Sequence, residues 1–199
     1  MEANEWDERY RGDELVWSAE PNQFVAAHLA ELTPGDAIDL AAGEGRNAVW
    51  LAQRGWRATA VDFSPVALDK ARRRAEANGV EVTTIEADVR TWVAQPSSAD
   101  LVLIAYLQLP HEQEASVIAS AAAALRPDGV FFFVAHDRTN LDQGYGGPQD
   151  PSVLPDVDLV VGALDGLAID IAEVVTRTVD TDDGTRTALD TLVVARRPS

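Results

Sequence analysis

Cysteine is absent from all 199 residues, which excludes a disulfide framework, a thiolate nucleophile and a cysteine-bound metal. Basic residues are scarce: 16 lysines and arginines face 33 aspartates and glutamates, and the resulting formal charge of −17 repels a phosphate backbone. Nucleic acid is therefore not expected as a substrate, and most of the acidity reads as a source of solubility. The three histidines, His28, His111 and His136, are scattered rather than set at metal-ligand spacing, so no metal site is expected. Long apolar runs are missing too. No stretch approaches membrane-spanning length, and Met1-Glu2-Ala3-Asn4-Glu5 has neither a basic lead nor an apolar segment after it, which predicts a cytoplasmic protein with no membrane partner.

What is present is an ordinary globular composition, 46% apolar and 25% charged, with no abrupt shift that marks a second domain. One domain over residues 1–199 is expected, with an N-terminal cap segment (1–35), a core (36–139) and a loop plus terminal hairpin (140–199). In the cap, Phe24, Val25, Leu29 and Leu32 fall at helical spacing and predict a helix ending at Pro34-Gly35.

From about residue 36, short apolar runs alternate with helix-like segments, the pattern of βα units around a mainly parallel sheet. The first strand is Ala37-Ile38-Asp39-Leu40, followed by a Gly-rich turn and a helix from Asn47 to Arg54 stopped by Gly55. A second strand, Ala58 to Asp62, precedes Ser64-Pro65, an N-cap and a first-turn proline, and that helix runs to Asn78-Gly79. A third strand lies within Val82 to Ile85, a fourth at Leu101 to Ala105, and a fifth at Val130 to Ala135 after the turn Arg126-Pro127-Asp128-Gly129. A helix starting near Glu112 joins the last two.

Asn140 to Pro155 holds three glycines and three prolines, a loop with at most a short helix, placed to cover a site. Ala168 to Thr178 and Thr187 to Ala195 are β-rich runs separated by Asp182-Asp183-Gly184, an antiparallel hairpin that closes one sheet edge. Together these elements predict an α/β fold: a doubly wound, mainly parallel seven-stranded sheet, Rossmann-like, with a C-terminal antiparallel hairpin.

The most informative segment is Asp39-Leu40-Ala41-Ala42-Gly43-Glu44-Gly45-Arg46-Asn47, between a strand and a helix. Small residues at 41, 43 and 45 let backbone approach a ligand, and the helix start offers unpaired N–H groups. Tight packing of strand on helix selects small residues as well, so the turn alone leaves both readings open. Asp62, ending the second strand, can accept hydrogen bonds from both hydroxyls of a ribose, and Asp88, after the third, can accept one from an adenine amino group. Singly, each is also an ordinary solvated turn acid. Three acids at three successive strand ends share one edge of a doubly wound sheet, where such folds bind nucleotides.

In this order of strand, small-residue loop, Asp62 and Asp88, the sequence resembles the class I S-adenosylmethionine-dependent methyltransferases over nearly its whole length. Trp6-Asp7-Glu8-Arg9-Tyr10 and Gly43-Glu44-Gly45-Arg46-Asn47-Ala48-Val49-Trp50-Leu51-Ala52 are similar to the bacterial tellurite-resistance and thiopurine methyltransferase-type branch. The resemblance implies that residues 36–139 bind S-adenosylmethionine on the loop from Asp39 to Asn47, with Asp39, Ala41, Gly43 and Gly45 around its methionine part. It further implies that Asp62 holds the ribose, Asp88 and Val89 face the adenine, and Phe63 packs on the ring. Ala105 and Tyr106 would lie near the transferable methyl group, and Trp17 would cover the cofactor. Ala41 departs from the family, which has glycine there, and its methyl group is tolerated only where φ stays negative.

In-line methyl transfer requires chiefly that nucleophile, methyl and sulfur be held in line. Where the acceptor atom carries a proton, a base helps, and Tyr106, His111 and His136 are the catalytic candidates, each weighed against an ordinary structural role. Resemblance to this branch implies a small-molecule acceptor: a thiol, a chalcogen oxyanion or an aromatic heterocycle. Two other readings remain. Gly43-Glu44-Gly45-Arg46-Asn47-Ala48 satisfies a relaxed dinucleotide fingerprint, against which Glu44 would place negative charge beside a pyrophosphate. A cofactor-binding domain that transfers no methyl group fits the cofactor residues equally well.

Overall fold

The computed structural model describes residues 3–12, 16 and 18–199. Chain order is α1 (Ala3–Tyr10), α2 (Gln23–Leu29), β1 (Asp36–Leu40), α3 (Arg46–Gln53), β2 (Arg57–Asp62), α4 (Pro65–Ala77), β3 (Thr83–Glu86), β4 (Ala99–Ala105), α5 (His111–Ala124) and β5 (Leu125–His136). Then come α6 (Asn140–Gln143), a 3-10 turn (Pro151–Val153), α7 (Val157–Gly162), β6 (Ala168–Thr181) and β7 (Gly184–Arg196). The described strands form one seven-stranded sheet in the order β3-β2-β1-β4-β5-β7-β6. Pairs from β3 through β5 are parallel, and β7 runs antiparallel to both β5 and β6. The order reverses between β1 and β4, so a crevice opens there at the carboxyl ends of the strands.

Because helices cover both faces, alternate residues of each central strand enter different cores and both sets are apolar. Val102, Ile104, Phe131 and Phe133 pack with Val117, Ile118 and Ala121 of α5 on one face. Leu101, Leu103 and Phe132 pack with Val25 of α2 and Leu51 of α3 on the other. The consecutive Phe131, Phe132 and Phe133 are therefore all fully buried.

Local signals place the elements well. Ser64 Oγ accepts from Ala67 N with Pro65 in the first turn, which starts α4 directly after β2. Several boundaries differ from expectation. α2 stops at Leu29 instead of continuing past Leu32. Arg126 to Gly129 does not precede β5 but bulges from it: Ala99 pairs with Leu125, and the ladder resumes at Leu101 with Val130. The hairpin strands are longer than the β-rich runs, because Thr181 pairs with Gly184 across Asp182-Asp183. α1 and α7 carry no periodicity long enough to read from sequence. No helix among the described residues is long and apolar enough to cross a membrane.

Candidate active site

A cavity of about 500 Å³ lies at the crevice, within the range of small-molecule sites. Its floor is the turn after β1. Ala41 takes φ +55°, so the expectation of a negative φ is overturned: alanine adopts the left-handed conformation that glycine normally fills. Ala42 N donates to Val61 O at 3.1 Å, and Gly43 N to Asp62 Oδ2 at 2.8 Å, so the turn is pinned to the end of β2 in that conformation. Gly43 has φ +53°, and a Cβ there would lie 2.9 Å from Tyr10 Oη, which brings α1 onto the turn.

Two residues expected around the methionine part are not on the cavity wall. The Asp39 carboxylate is buried behind it and accepts from Ala48 N at 3.1 Å, anchoring the first turn of α3. Burial pushes its pKa up to about 7 against the opposing Ala48 hydrogen bond. Gly45 is the N-cap of α3 at φ +72°, and a Cβ there would lie 2.7 Å from Ala71 Cβ, so packing against α4 explains this glycine. Asn47 does line the cavity, and its Oδ1 accepts from Asn22 N at 2.9 Å. Asn22 in turn caps α2 by accepting from Phe24 N and Val25 N, which ties the N-terminal segment to the turn.

Asp62 Oδ1 accepts from Ser64 N at 2.9 Å, so each oxygen takes one backbone N–H and keeps a second acceptor direction. Burial raises its pKa, opposed by these hydrogen bonds. Phe63, Asp88 and Val89 join the same wall. Asp88 is clamped by Arg90, with Nε 2.9 Å and Nη2 2.6 Å from Oδ2, and that bond holds its pKa below the ordinary value. Glu44, also on the wall, is buried and receives Lys70 Nζ at 2.9 Å and Val16 N at 3.0 Å.

Ala105 ends β4, Tyr106 follows it, and both line the cavity. Tyr106 has φ +62°, held by its N–H donating to Val134 O at 2.7 Å and its hydroxyl donating to Asp190 Oδ2 at 2.8 Å. Strain of this kind in a bulky residue persists only where surroundings fix it. His136 stands beside Tyr106, ring centroids 5.0 Å apart, and lines the cavity, while its Nδ1 lies 3.2 Å from Asp190 Oδ1 without hydrogen-bond alignment. A Cβ on Gly147 would lie 2.9 Å from the His136 ring, so the loop after α6 closes over it. Asn140 fastens that loop, donating to Gly146 O and accepting from Leu189 N. His111 is not on the wall: Nε2 donates to Leu154 O at 3.0 Å. Trp17 lies outside the described residues.

Sequence reading missed Asp190 and Arg177. Asp190 is fully buried opposite His136 in the β5–β7 ladder, and Arg177 Nε donates to its Oδ2 at 2.7 Å. The signal was available: an acid set among Leu189, Thr191, Leu192 and Val193 of a buried strand requires partners. Among the described residues no group of three or more His, Asp or Glu side chains is arranged to hold a metal.

Residues 37–129 match the family described as a methyltransferase domain. Over those residues the chain is similar to a methyltransferase domain. The chain is 34% identical over 107 residues to a ubiquinone biosynthesis O-methyltransferase of Actinobacillus pleuropneumoniae, covering 51% of this chain and 46% of that protein. It is 31% identical over 118 residues to a tRNA 5-carboxymethoxyuridine methyltransferase of Escherichia coli, covering 54% and 44%. The chain thus spans less than half the length of these curated relatives. Among solved structures, TehB from Haemophilus influenzae superposes with a TM-score of 0.75 at 16% identity, covering 98% of this chain and 66% of that one. NodS from Bradyrhizobium japonicum, solved with S-adenosyl-L-homocysteine, gives 0.73 at 16% identity, covering 99% and 98%. At these identities the structures establish a shared fold.

Proposed function

We propose that this chain transfers the methyl group of S-adenosylmethionine to a small-molecule acceptor by in-line displacement. The observation that carries it is Asp62, whose two oxygens are aimed by Gly43 N and Ser64 N at the rim of the cavity and each retain an acceptor direction for a ribose hydroxyl. The cofactor supplies a carbon activated by positive sulfur. Phe63 and Val89 give an apolar wall for the adenine, and Asp88 accepts at its edge. Ala41, Gly43 and Asn47 line the methionine end, where Asp39 and Gly45 support the turn from behind.

At the other end Ala105 and Tyr106 orient the acceptor, and the Tyr106 ring offers its face to a cation. When bound, the cofactor would supply a methyl group on positive sulfur, which would leave with the bonding electrons as a neutral thioether, and His136 would take any proton on the acceptor atom. We assign the base to His136 over His111 because only His136 lines the cavity. Holding these groups in place supplies the rate enhancement.

A small acceptor is favoured by a formal charge of −17, which repels nucleic acid. Calorimetric titration with S-adenosylmethionine, S-adenosylhomocysteine and NADH tests the reading. The first two are expected to bind, with affinity reduced at least tenfold by Asp62→Ala, whereas NADH is not. Binding of NADH alone would overturn it.

A further inference from the structure

Three side chains of the cavity wall, Tyr106, Arg177 and His136, meet at one carboxylate. Asp190 is fully buried and stands directly opposite His136 in the β5–β7 ladder, so two paired strands set the distance between these side chains. Its Oδ2 accepts from Tyr106 Oη at 2.8 Å and from Arg177 Nε at 2.7 Å. The other oxygen, Oδ1, has Arg177 Nη2 at 3.5 Å and His136 Nδ1 at 3.2 Å. Burial raises the Asp190 pKa, yet the nearby His136 ring, Arg177 and Tyr106 together hold it below the ordinary value. The group therefore stays ionised and can only accept.

The surroundings of the His136 ring distinguish its two nitrogens. Nδ1 is buried and has no aligned hydrogen bond among the described residues, and a Cβ on Gly147 would lie 3.0 Å from it, so the loop after α6 covers that side. A bare lone pair on Nδ1 would be repelled by the anionic oxygen, whereas an N–H there is attracted to it. A neutral ring protonated on Nδ1 keeps its lone pair on Nε2. The ring is not sealed: the side chain retains 15% of its exposure and lines the cavity. Hydrogen bonds of this kind are often poorly aligned before a ligand binds and tighten around it. Tyr106 does not compete as a base, because burial and the Asp190 charge push its hydroxyl pKa up and its proton is already given to Oδ2.

We propose that Asp190 is a positioning residue for methyl transfer: it holds the neutral His136 ring with its proton on Nδ1, so that Nε2 takes the proton from the acceptor. This rests on the methyltransferase reading and on His136 as its base. When the proton moves, the acceptor atom's bond to hydrogen breaks and the ring's lone pair forms the Nε2–H bond. The positive charge left on the ring lies beside the Asp190 carboxylate, which itself stays ionised.

The protein has three histidines, His28, His111 and His136, so isotope-labelled histidine rings give a simple spectrum in which His136→Gln identifies the ring of interest. Long-range proton–nitrogen correlation at about pH 8.5, above the range in which histidine usually changes charge, reads the tautomer of each ring. Unmodified protein is expected to show His136 protonated mainly on Nδ1. In Asp190→Asn the donors Tyr106 and Arg177 keep the amide oxygen, which turns the amide NH2 toward Nδ1, and the His136 proton is expected to shift to Nε2. The proposal is overturned if neutral His136 carries its proton on Nε2 in unmodified protein, or if both proteins show the same tautomer. Should Asp190→Asn fail to fold, the Nδ1 proton of unmodified protein decides: a downfield signal that exchanges slowly with water supports a carboxylate partner, and loss of the signal to rapid exchange overturns it. S-adenosylhomocysteine is titrated into the same unmodified sample by calorimetry. Failure to bind sinks the methyltransferase reading, and the positioning role with it, whichever tautomer is found.

Discussion

Tyr106 donates its hydroxyl to Asp190 at 2.8 Å, joining residues 84 positions apart in the chain and fixing the end of β4 against β7. Asp190 also takes Arg177, so one buried carboxylate orients two side chains of the cavity wall. Asp190→Ala is expected to lower unfolding free energy by about 3–5 kcal/mol, the usual effect of stranding a buried charge. Urea denaturation measures it. Burial pushes the Asp190 carboxyl up, but the nearby His136 ring, the hydrogen bonds of Arg177 and Tyr106 and the charge of Arg177 together hold it below the ordinary value. A depressed carboxyl contributes stability above its unfolded pKa and loses it as pH falls through the folded one, below about pH 4. The gap between unmodified protein and Asp190→Asn should therefore narrow at about pH 3. An unchanged gap would show that the carboxylate is not favoured by folding.

Ala41→Gly is expected to stabilise the protein. At φ +55° alanine bears a left-handed strain of about 1–2 kcal/mol, from which the extra chain entropy of glycine subtracts part. A net gain of about 0.5–1 kcal/mol should raise the melting temperature by about 2 °C in a chain of this size. Scanning calorimetry decides. A lower melting temperature would mean that the hydrogen bonds of Ala42 and Gly43 do not depend on a left-handed residue 41.

Much of this was legible in the sequence for physical reasons. Ser64-Pro65 marks a helix start because both residues act locally, and the alternation of short apolar runs with helices follows from burial of both sheet faces. Asp62 was readable because a strand end at a sheet crevice is a fixed place. Long-range consequences were not readable. That Gly45 answers to Ala71, that His111 turns to Leu154, and that Asp190 meets Tyr106 are relationships between elements, invisible in any local window. The φ of Ala41 belongs with these, since its cause is the bonding of the following residues to β2.

Gly45→Ala is expected to destabilise by about 2–4 kcal/mol, combining a φ of +72° with a Cβ placed 2.7 Å from Ala71 Cβ. Adding Ala71→Gly removes the clash but leaves the backbone strain, so the double variant should recover only part of the loss after allowing for the helix cost of glycine. Full additivity in a double-mutant cycle of urea midpoints would contradict this contact.

Glu114 gives the fold a pH dependence of the opposite sign to that of Asp190. It lies in the first turn of α5, fully buried, and neither carboxylate oxygen has a hydrogen-bond partner among the described residues. Burial pushes its pKa from 4.5 up to about 8. Because the folded value exceeds the unfolded one, the folded state holds the proton more tightly across this window. Stability is greatest below the unfolded value and falls as pH rises, until both states are ionised above the folded value. The loss across the window is on the order of a few kcal/mol. Glu114→Gln cannot ionise, so its advantage over unmodified protein should grow between about pH 5 and about pH 8.5 in urea denaturation. A constant difference would show that Glu114 is ionised in the folded state at both pH values. The effect should reach the site, because Leu107, Gln108 and Leu109 line the cavity and lead directly into α5. Affinity for S-adenosylhomocysteine is therefore expected to weaken toward alkaline pH in unmodified protein and to hold steadier in Glu114→Gln.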